Sequence, residues 1–359
     1  MTKTVHVGII TVMIAILFVA ACFAGCTSQA PSTTPVATPA AAAATTAAPA
    51  STQAAQPTLV IATTTSLYDT GLLDYLQPMF EKQYNTKLKI TSQGTGKAIE
   101  LAKKGDADVL LVHSPSQELA FMNSGNGINR RSFASNSFMI VGPANDPAGI
   151  KGMTPENAFK TLYLKGMNKT AGVAFVSRGD GSGTHSAEQK IWTNDKYNYT
   201  TQIQKSGNWY VEAGKGMGET LQMASEKGAY ALTDEGTYLA YKKDLNLAPI
   251  ITDGASLLNI YSVMTVYNDK QPVDKIQSAN NFVNFLIDPA TQTAIGSYGV
   301  DKYGKALFIP MSVSVPTATA GWVGDHTTQA TDLKPAVVTT TAAATATTAA
   351  PAATATAAK

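Results

Sequence analysis

Three short stretches combine hydroxyl side chains with glycine or an arginine. They are Thr63-Thr64-Thr65-Ser66, Ser92-Gln93-Gly94-Thr95-Gly96 and Ser177-Arg178-Gly179-Asp180-Gly181-Ser182-Gly183-Thr184. Each follows a β-prone run and precedes apolar residues at helical spacing. The first turn of a helix has unpaired backbone N–H groups and a partial positive charge. Glycine lets that backbone approach closely, and Ser or Thr adds rotatable donors. Such a terminus binds an anion without bulk positive charge. Arginine is scarce: only Arg130, Arg131 and Arg178 stand among 27 basic residues. Arg178 lies in the third loop, where its planar, permanently charged fork suits an oxyanion. Ordinary helix capping accounts equally well for the first loop, since Ser and Thr are favoured N-caps. It does not account for the third, where three Gly, two hydroxyls and an Arg fall within residues 178–184. The adjacent Arg130-Arg131 pair reads as a structural ion-pairing feature.

Catalytic readings fit less well. Gly96-Lys97 resembles the end of a phosphate-binding P-loop, but Thr91 stands where the first Gly is needed and Ala98 where Ser or Thr is. Asp180, Ser182 and His185 contain the residue types of a hydrolytic triad. The Gly-x-Ser-x-Gly elbow fails at Asp180, and triad partners usually come from separate segments. A secreted hydrolase using Ser182 and His185 is kept as the alternative from a different class. The charge balance, 27 basic against 25 acidic residues, gives no basic field for nucleic acid. Both cysteines, Cys22 and Cys26, precede the foldable part, so a Cys-based zinc site is excluded there. No catalytic residue, metal or cofactor is expected.

Elements must hold these loops. Strand-like runs at Leu59–Ala62, Leu88–Thr91, Asp108–Val112, Phe138–Val141, Ala174–Ser177, Ala229–Thr233 and Ile260–Val266 alternate with helical patterns. The alternation predicts an α/β fold with mainly parallel sheets. Residues 58–316 are enough for two lobes, with chain crossings expected near 140–145 and 260–268. The lobes are then about 58–141 with 266–316, and about 142–265. The flanks, 27–57 and 317–359, are Ala/Thr/Pro-rich and too poor in large apolar side chains to fold, so they are expected to be disordered. The sequons at Asn168 and Asn198 are short enough to arise by chance.

Residues 1–26 have a basic start, an apolar run and Ala24-Gly25-Cys26, the form of a lipoprotein-type export signal. Lipidation is expected at Cys26, where polar spacer sequence begins. Cys22 and an uncleaved anchor are the alternatives. All of these put the domain outside the cytoplasm, anchored to the membrane.

The folded part resembles the tungstate-binding receptors of ABC importers (the TupA type). The matching strings include Thr63-Thr-Thr-Ser-Leu-Tyr-Asp-Thr-Gly-Leu-Leu, Gly105-Asp-Ala-Asp-Val-Leu-Leu-Val-His-Ser-Pro115, Phe175-Val-Ser-Arg-Gly-Asp, Ser182-Gly-Thr-His185 and Gly228-Ala-Tyr-Ala-Leu-Thr-Asp-Glu-Gly-Thr-Tyr-Leu239. The resemblance runs in order from about Leu59 to Pro310. It implies a two-lobed periplasmic-binding-protein (type II) fold with a hinge, closing as a monomer on one oxyanion. A membrane permease and an ATPase would complete the system. Carried over residue by residue, the pocket would be Thr64, Thr65, Ser66, Thr95, Arg178, Ser182 and Thr184. Gly181 departs from the family, which usually has a second Asp there. The loop then looks locally like that of phosphate-binding receptors, in which an Asp accepts the proton of hydrogen phosphate. Molybdate and phosphate are therefore the alternative ligands.

Overall fold

The computed structural model describes residues 56–314 and 324–336. The export signal, Cys22, Cys26 and nearly all of the preceding linker lie outside the described residues. β1 (Thr58–Thr64) runs directly into α1 (Thr65–Asp69), and α2 (Leu72–Tyr84) follows after a glycine turn. β2 (Lys87–Gln93) leads into α3 (Thr95–Lys104), and β3 (Val109–Val112) into α4 (Pro115–Asn123). The long β4 (Gly127–Gly142) comes next, then α5 (Pro155–Met167), β5 (Phe175–Ser177) and α6 (Gly183–Asn194). β6 (Tyr210–Glu212), α7 (Met217–Lys227), β7 (Ala231–Asp234), α8 (Glu235–Tyr241) and β8 (Ala248–Ile251) follow. The chain then forms β9 (Leu258–Val266), α9 (Val273–Ile287), α10 (Pro289–Ser297), α11 (Val300–Tyr303) and β10 (Ile309–Pro310).

The α/β expectation holds, but the sheet is not mainly parallel. β1 pairs in parallel with β2 and β3, and β5 with β6. The pairings of β3 with β9, and of β4 with β7, β8, β9 and β10, are antiparallel. The reason lies in β4. Its first part pairs with β9 from Gly127↔Val266 to Ser137↔Leu258, and its last residues pair with β7 and β8 instead. One strand thus changes partners between Ser137 and Phe138.

Side-chain alternation along the strands separates four apolar clusters. Ile61 and Leu111 face a cluster with Leu76, Phe80 and Phe282 from α2 and α9. Ala62, Leu110 and Val112 face the opposite side, against Ala98, Ala102 and Phe121 from α3 and α4. Further along β4, Phe138 and Ile140 meet Phe159, Leu162 and Trp192, whereas Met139 and Val141 meet Met217 and Leu221.

The polar half of β4, Asn129–Asn136, was not recognisable as strand, yet all of it is buried. Most of its polar groups are matched, although Asn129 Oδ1 and Asn136 Nδ2 have no partner among the described residues. The Arg130 guanidinium pairs with the buried Glu118 carboxylate at 2.9 Å, and Asn129 donates to Asn280 at 2.9 Å. Arg131 donates to the carbonyls of Thr328 (2.5 Å) and Gln329 (3.2 Å) and pairs with Asp325. The Arg130-Arg131 pair is thus structural. Those last contacts also correct the expected disordered tail from 317. Residues 324–336 lie against β4 and α9: Ala330 is buried in the Phe80 cluster, and the Asp332 carbonyl accepts from both Asn129 and Asn280. A segment poor in large apolar side chains is held here by amides and a guanidinium that satisfy its backbone. The remainder of that tail, 317–323 and 337–359, lies outside the described residues.

Candidate functional site

The three loops come together. α3, α6 and α7 are each ten or more residues long. Their N-termini meet around Arg178, beside the single turn of α1. Arg178 Nη2 donates to Thr65 Oγ1 at 3.2 Å, and its Nε donates to the Lys215 carbonyl at 3.3 Å. A Cβ on Gly94 would stand 3.0 Å from Asp180 Oδ2, so the second and third loops are in close contact there. Gly179 (φ +60°) and Gly181 (φ +70°) hold left-handed backbone that lets the third loop fold back toward α6. Beside Arg178 opens a cavity of about 220 Å³, lined among others by Thr65, Gly94, Lys97, Asp180, Lys215 and Glu219.

Each of the seven predicted residues has a definite place. Arg178 is only 2% exposed, and its Nη1 has no partner among the described residues. The hydroxyls of Thr95 and Thr184 are likewise buried without a partner. These three donors come from two loops that meet. Buried polar groups are nearly always satisfied, so each unpaired one calls for an explanation. An oxyanion held between the helix starts supplies one. The other four hydroxyls have protein partners. Thr64 Oγ1 caps α1 by accepting from Leu67 N at 3.3 Å, and Ser182 Oγ caps α6 by accepting from His185 N at 3.2 Å. Thr65 receives Arg178, and Ser66 Oγ lies 3.0 Å from His113 Nε2.

His113 was not singled out from the sequence as part of the site. Its Nδ1 lies 2.8 Å from Asn259 Oδ1, and Asn259 Nδ2 donates to Asn136 Oδ1. The Asn259 oxygen is therefore an acceptor, the imidazole proton sits on Nδ1, and Nε2 accepts from the Ser66 hydroxyl. Burial pushes His113 down to about 4, so the ring is neutral at physiological pH. It stacks on Tyr261 (5.0 Å between ring centres), and a Cβ on Gly183 would lie 2.7 Å from it. A lone buried His among apolar runs carries no signal for this role. Only the fold brings residues 66, 113, 136 and 259 together.

Asp180 is engaged at both oxygens. Oδ2 pairs with Arg178 Nη2 at 2.5 Å, and Oδ1 accepts from Ser182 N at 3.1 Å. It is therefore held as a partner of Arg178 and of the loop, not left open to take a ligand's proton. Nearby, burial first and the Asp234 charge second push the Asp69 carboxyl up to about 6. The hydrolytic alternative lacks its geometry. His185 Nδ1 accepts from Gly181 N at 2.9 Å, and its Nε2 lies 2.7 Å from Tyr199 Oη. Ser182 Oγ meets only the backbone N–H of His185, not the imidazole.

A second cavity, of about 840 Å³, is lined by His113, Gln117, Phe138, Ala187, Leu258 and Ile260, among others. Gln117 Nε2 bridges beside it, donating to the Gly181 carbonyl at 3.1 Å and to Ser186 Oγ at 2.9 Å.

A family model described as a PBP superfamily domain matches residues 40–290. The chain belongs to the PBP superfamily. Within it, the chain is 41% identical over 256 residues to a Tungstate-binding protein TupA of Peptoclostridium acidaminophilum, covering 71% of this chain and 86% of that one. The solved structure of the tungstate binding protein TupA from Desulfovibrio alaskensis G20 is similar with a TM-score of 0.59 and 41% identity, covering 71% of this chain and 98% of that one. A structure described as the tungstate ABC transporter from Geobacter sulfurreducens gives a TM-score of 0.59 and 41% identity, covering 67% and 98%. This PBP-superfamily chain is thus of a substrate-binding kind, with the TupA proteins among its relatives.

Proposed function

We propose that this protein is an extracytoplasmic receptor that captures tungstate and delivers it to an ABC importer. The observation that carries the reading is the set of unpartnered buried donors, Arg178 Nη1, Thr95 Oγ1 and Thr184 Oγ1, at converging helix starts. Tungstate is a fully ionised dianion at neutral pH and needs donors only. A site of hydroxyls, backbone N–H groups and one guanidinium, with Asp180 already paired, matches that need. The likeness to TupA proteins supports the same ligand. Thr64, Thr65, Ser66 and Ser182 complete the ligand's surroundings in this reading, holding the helix starts and the guanidinium in place. The Phe80 and Phe121 clusters make one lobe and the Phe138 and Met139 clusters the other, joined through β4, and they close on the anion. The receptor acts as a monomer, held to the membrane through lipid on Cys26, and hands its cargo to a permease driven by an ATPase.

Calorimetry with tungstate, molybdate, phosphate and sulfate tests the ligand. Tungstate should bind tightest, with molybdate nearest to it. Tight phosphate binding that tungstate fails to displace would overturn the ligand assignment. Serine in place of Cys26 should release the protein from membranes or block its processing; release by Cys22→Ser alone would refute the choice of anchor.

A further inference from the structure

The 220 Å³ cavity beside Arg178 carries two lysines from different elements. Lys97 lies in the first turn of α3, and Lys215 lies just before α7. Both are exposed, and neither has an ion-pair partner among the described residues. The other formal charges in the wall are Arg178, Asp180 and Glu219. Arg178 and Asp180 neutralise one another at 2.5 Å, and Glu219 is held by the Gly216 N–H at 3.2 Å. The inner donors therefore offer shape and hydrogen bonds but little net charge. The positive field at the opening comes from the two lysines, with Glu219 offsetting one of them.

Resting on the receptor reading above, we propose that Lys97 and Lys215 make the site discriminate by ligand charge, favouring divalent over monovalent tetrahedral oxyanions of the same size. Hydroxyls and backbone N–H groups act only on the oxygens they touch, and respond to the position of each and to the charge it carries. Coulomb attraction scales with the ligand's whole charge, and at an exposed opening it is weakened by salt. Removing one lysine therefore lowers the logarithm of affinity twice as much for a dianion as for a monoanion. It also slows capture, because a charged opening raises the encounter rate.

The test uses tungstate and perrhenate, a tetrahedral oxyanion with one negative charge in place of two. Calorimetry on the full chain compares wild type, Lys97→Gln, Lys215→Gln and the double variant, at low and at physiological ionic strength. Lys104→Gln, at the far end of the same helix, is the control and should change neither affinity. At low ionic strength Lys97→Gln and Lys215→Gln should each weaken tungstate binding about three- to tenfold, and the double variant by about the product of the two losses. Perrhenate should weaken by about two- to threefold, and added salt should shrink both losses. Equal losses for the two anions, or losses that salt does not touch, would overturn the charge reading and leave the receptor reading standing. A wild type that binds neither tungstate nor molybdate would overturn both.

Discussion

Arg178 has three protein partners and one donor without any. Its placement makes the sharpest test of the site. A hydrogen bond to a charged group contributes roughly 1.5–3 kcal/mol, so Arg178→Ala should weaken tungstate binding by about tenfold to a hundredfold in calorimetry. Arg178→Lys should restore only part of this, because an ammonium cannot hold Thr65, Asp180 and an anion in one plane. Wild-type affinity in a folded Arg178→Ala protein would exclude the site. Arg178 was legible in the sequence because arginine is scarce there and this one sits among glycines. His113 was not, because its role depends on partners far away along the chain. It gives a pH prediction. The folded-state value of about 4 lies below the ordinary histidine value, so the unfolded chain binds the proton more readily. The stability it contributes is complete above about pH 6.5 and is lost as pH falls toward 4. In urea titrations across that window, His113→Gln should flatten the acid side of the stability curve. An unchanged slope would show that another group governs it.

At the scale of elements, the apolar strands and the helices after them were readable from periodicity. The first half of β4 was not, because Asn-Arg-Arg-Ser reads as a polar loop until its partners are known. The same residues anchor the segment 324–336. Its composition hides the docking, since the interactions come from amides and a guanidinium on the other side. A chain ending at Pro316 should therefore lose stability, by about 2–4 kcal/mol from the lost hydrogen bonds and the burial of Ala330. Chemical denaturation would measure it. Tungstate affinity should stay the same, because the segment lies against β4 and α9 rather than against the three loops. Equal stability of the two lengths would mean that the docking contributes nothing in solution.

For the whole molecule, β4 is the long strand that runs from the Phe80 cluster, through Phe133 and Ala134, to the clusters of Phe138 and Met139. If the parts on either side close as proposed, tungstate should compact the protein. Small-angle scattering with and without the anion would show a smaller radius of gyration on binding; an unchanged radius with bound ligand would argue for a rigid pocket. The donors at the loops bear on what a permease can learn from that shape. A buried donor without an acceptor costs about 1–3 kcal/mol. Three of them disfavour the assembled arrangement by about 3–9 kcal/mol unless an anion lies among them. About 4 kcal/mol already corresponds to a thousandfold in population. A transporter that answers only to the closed receptor would then pass over almost every unloaded copy, and ATP would not be hydrolysed in cycles that carry nothing.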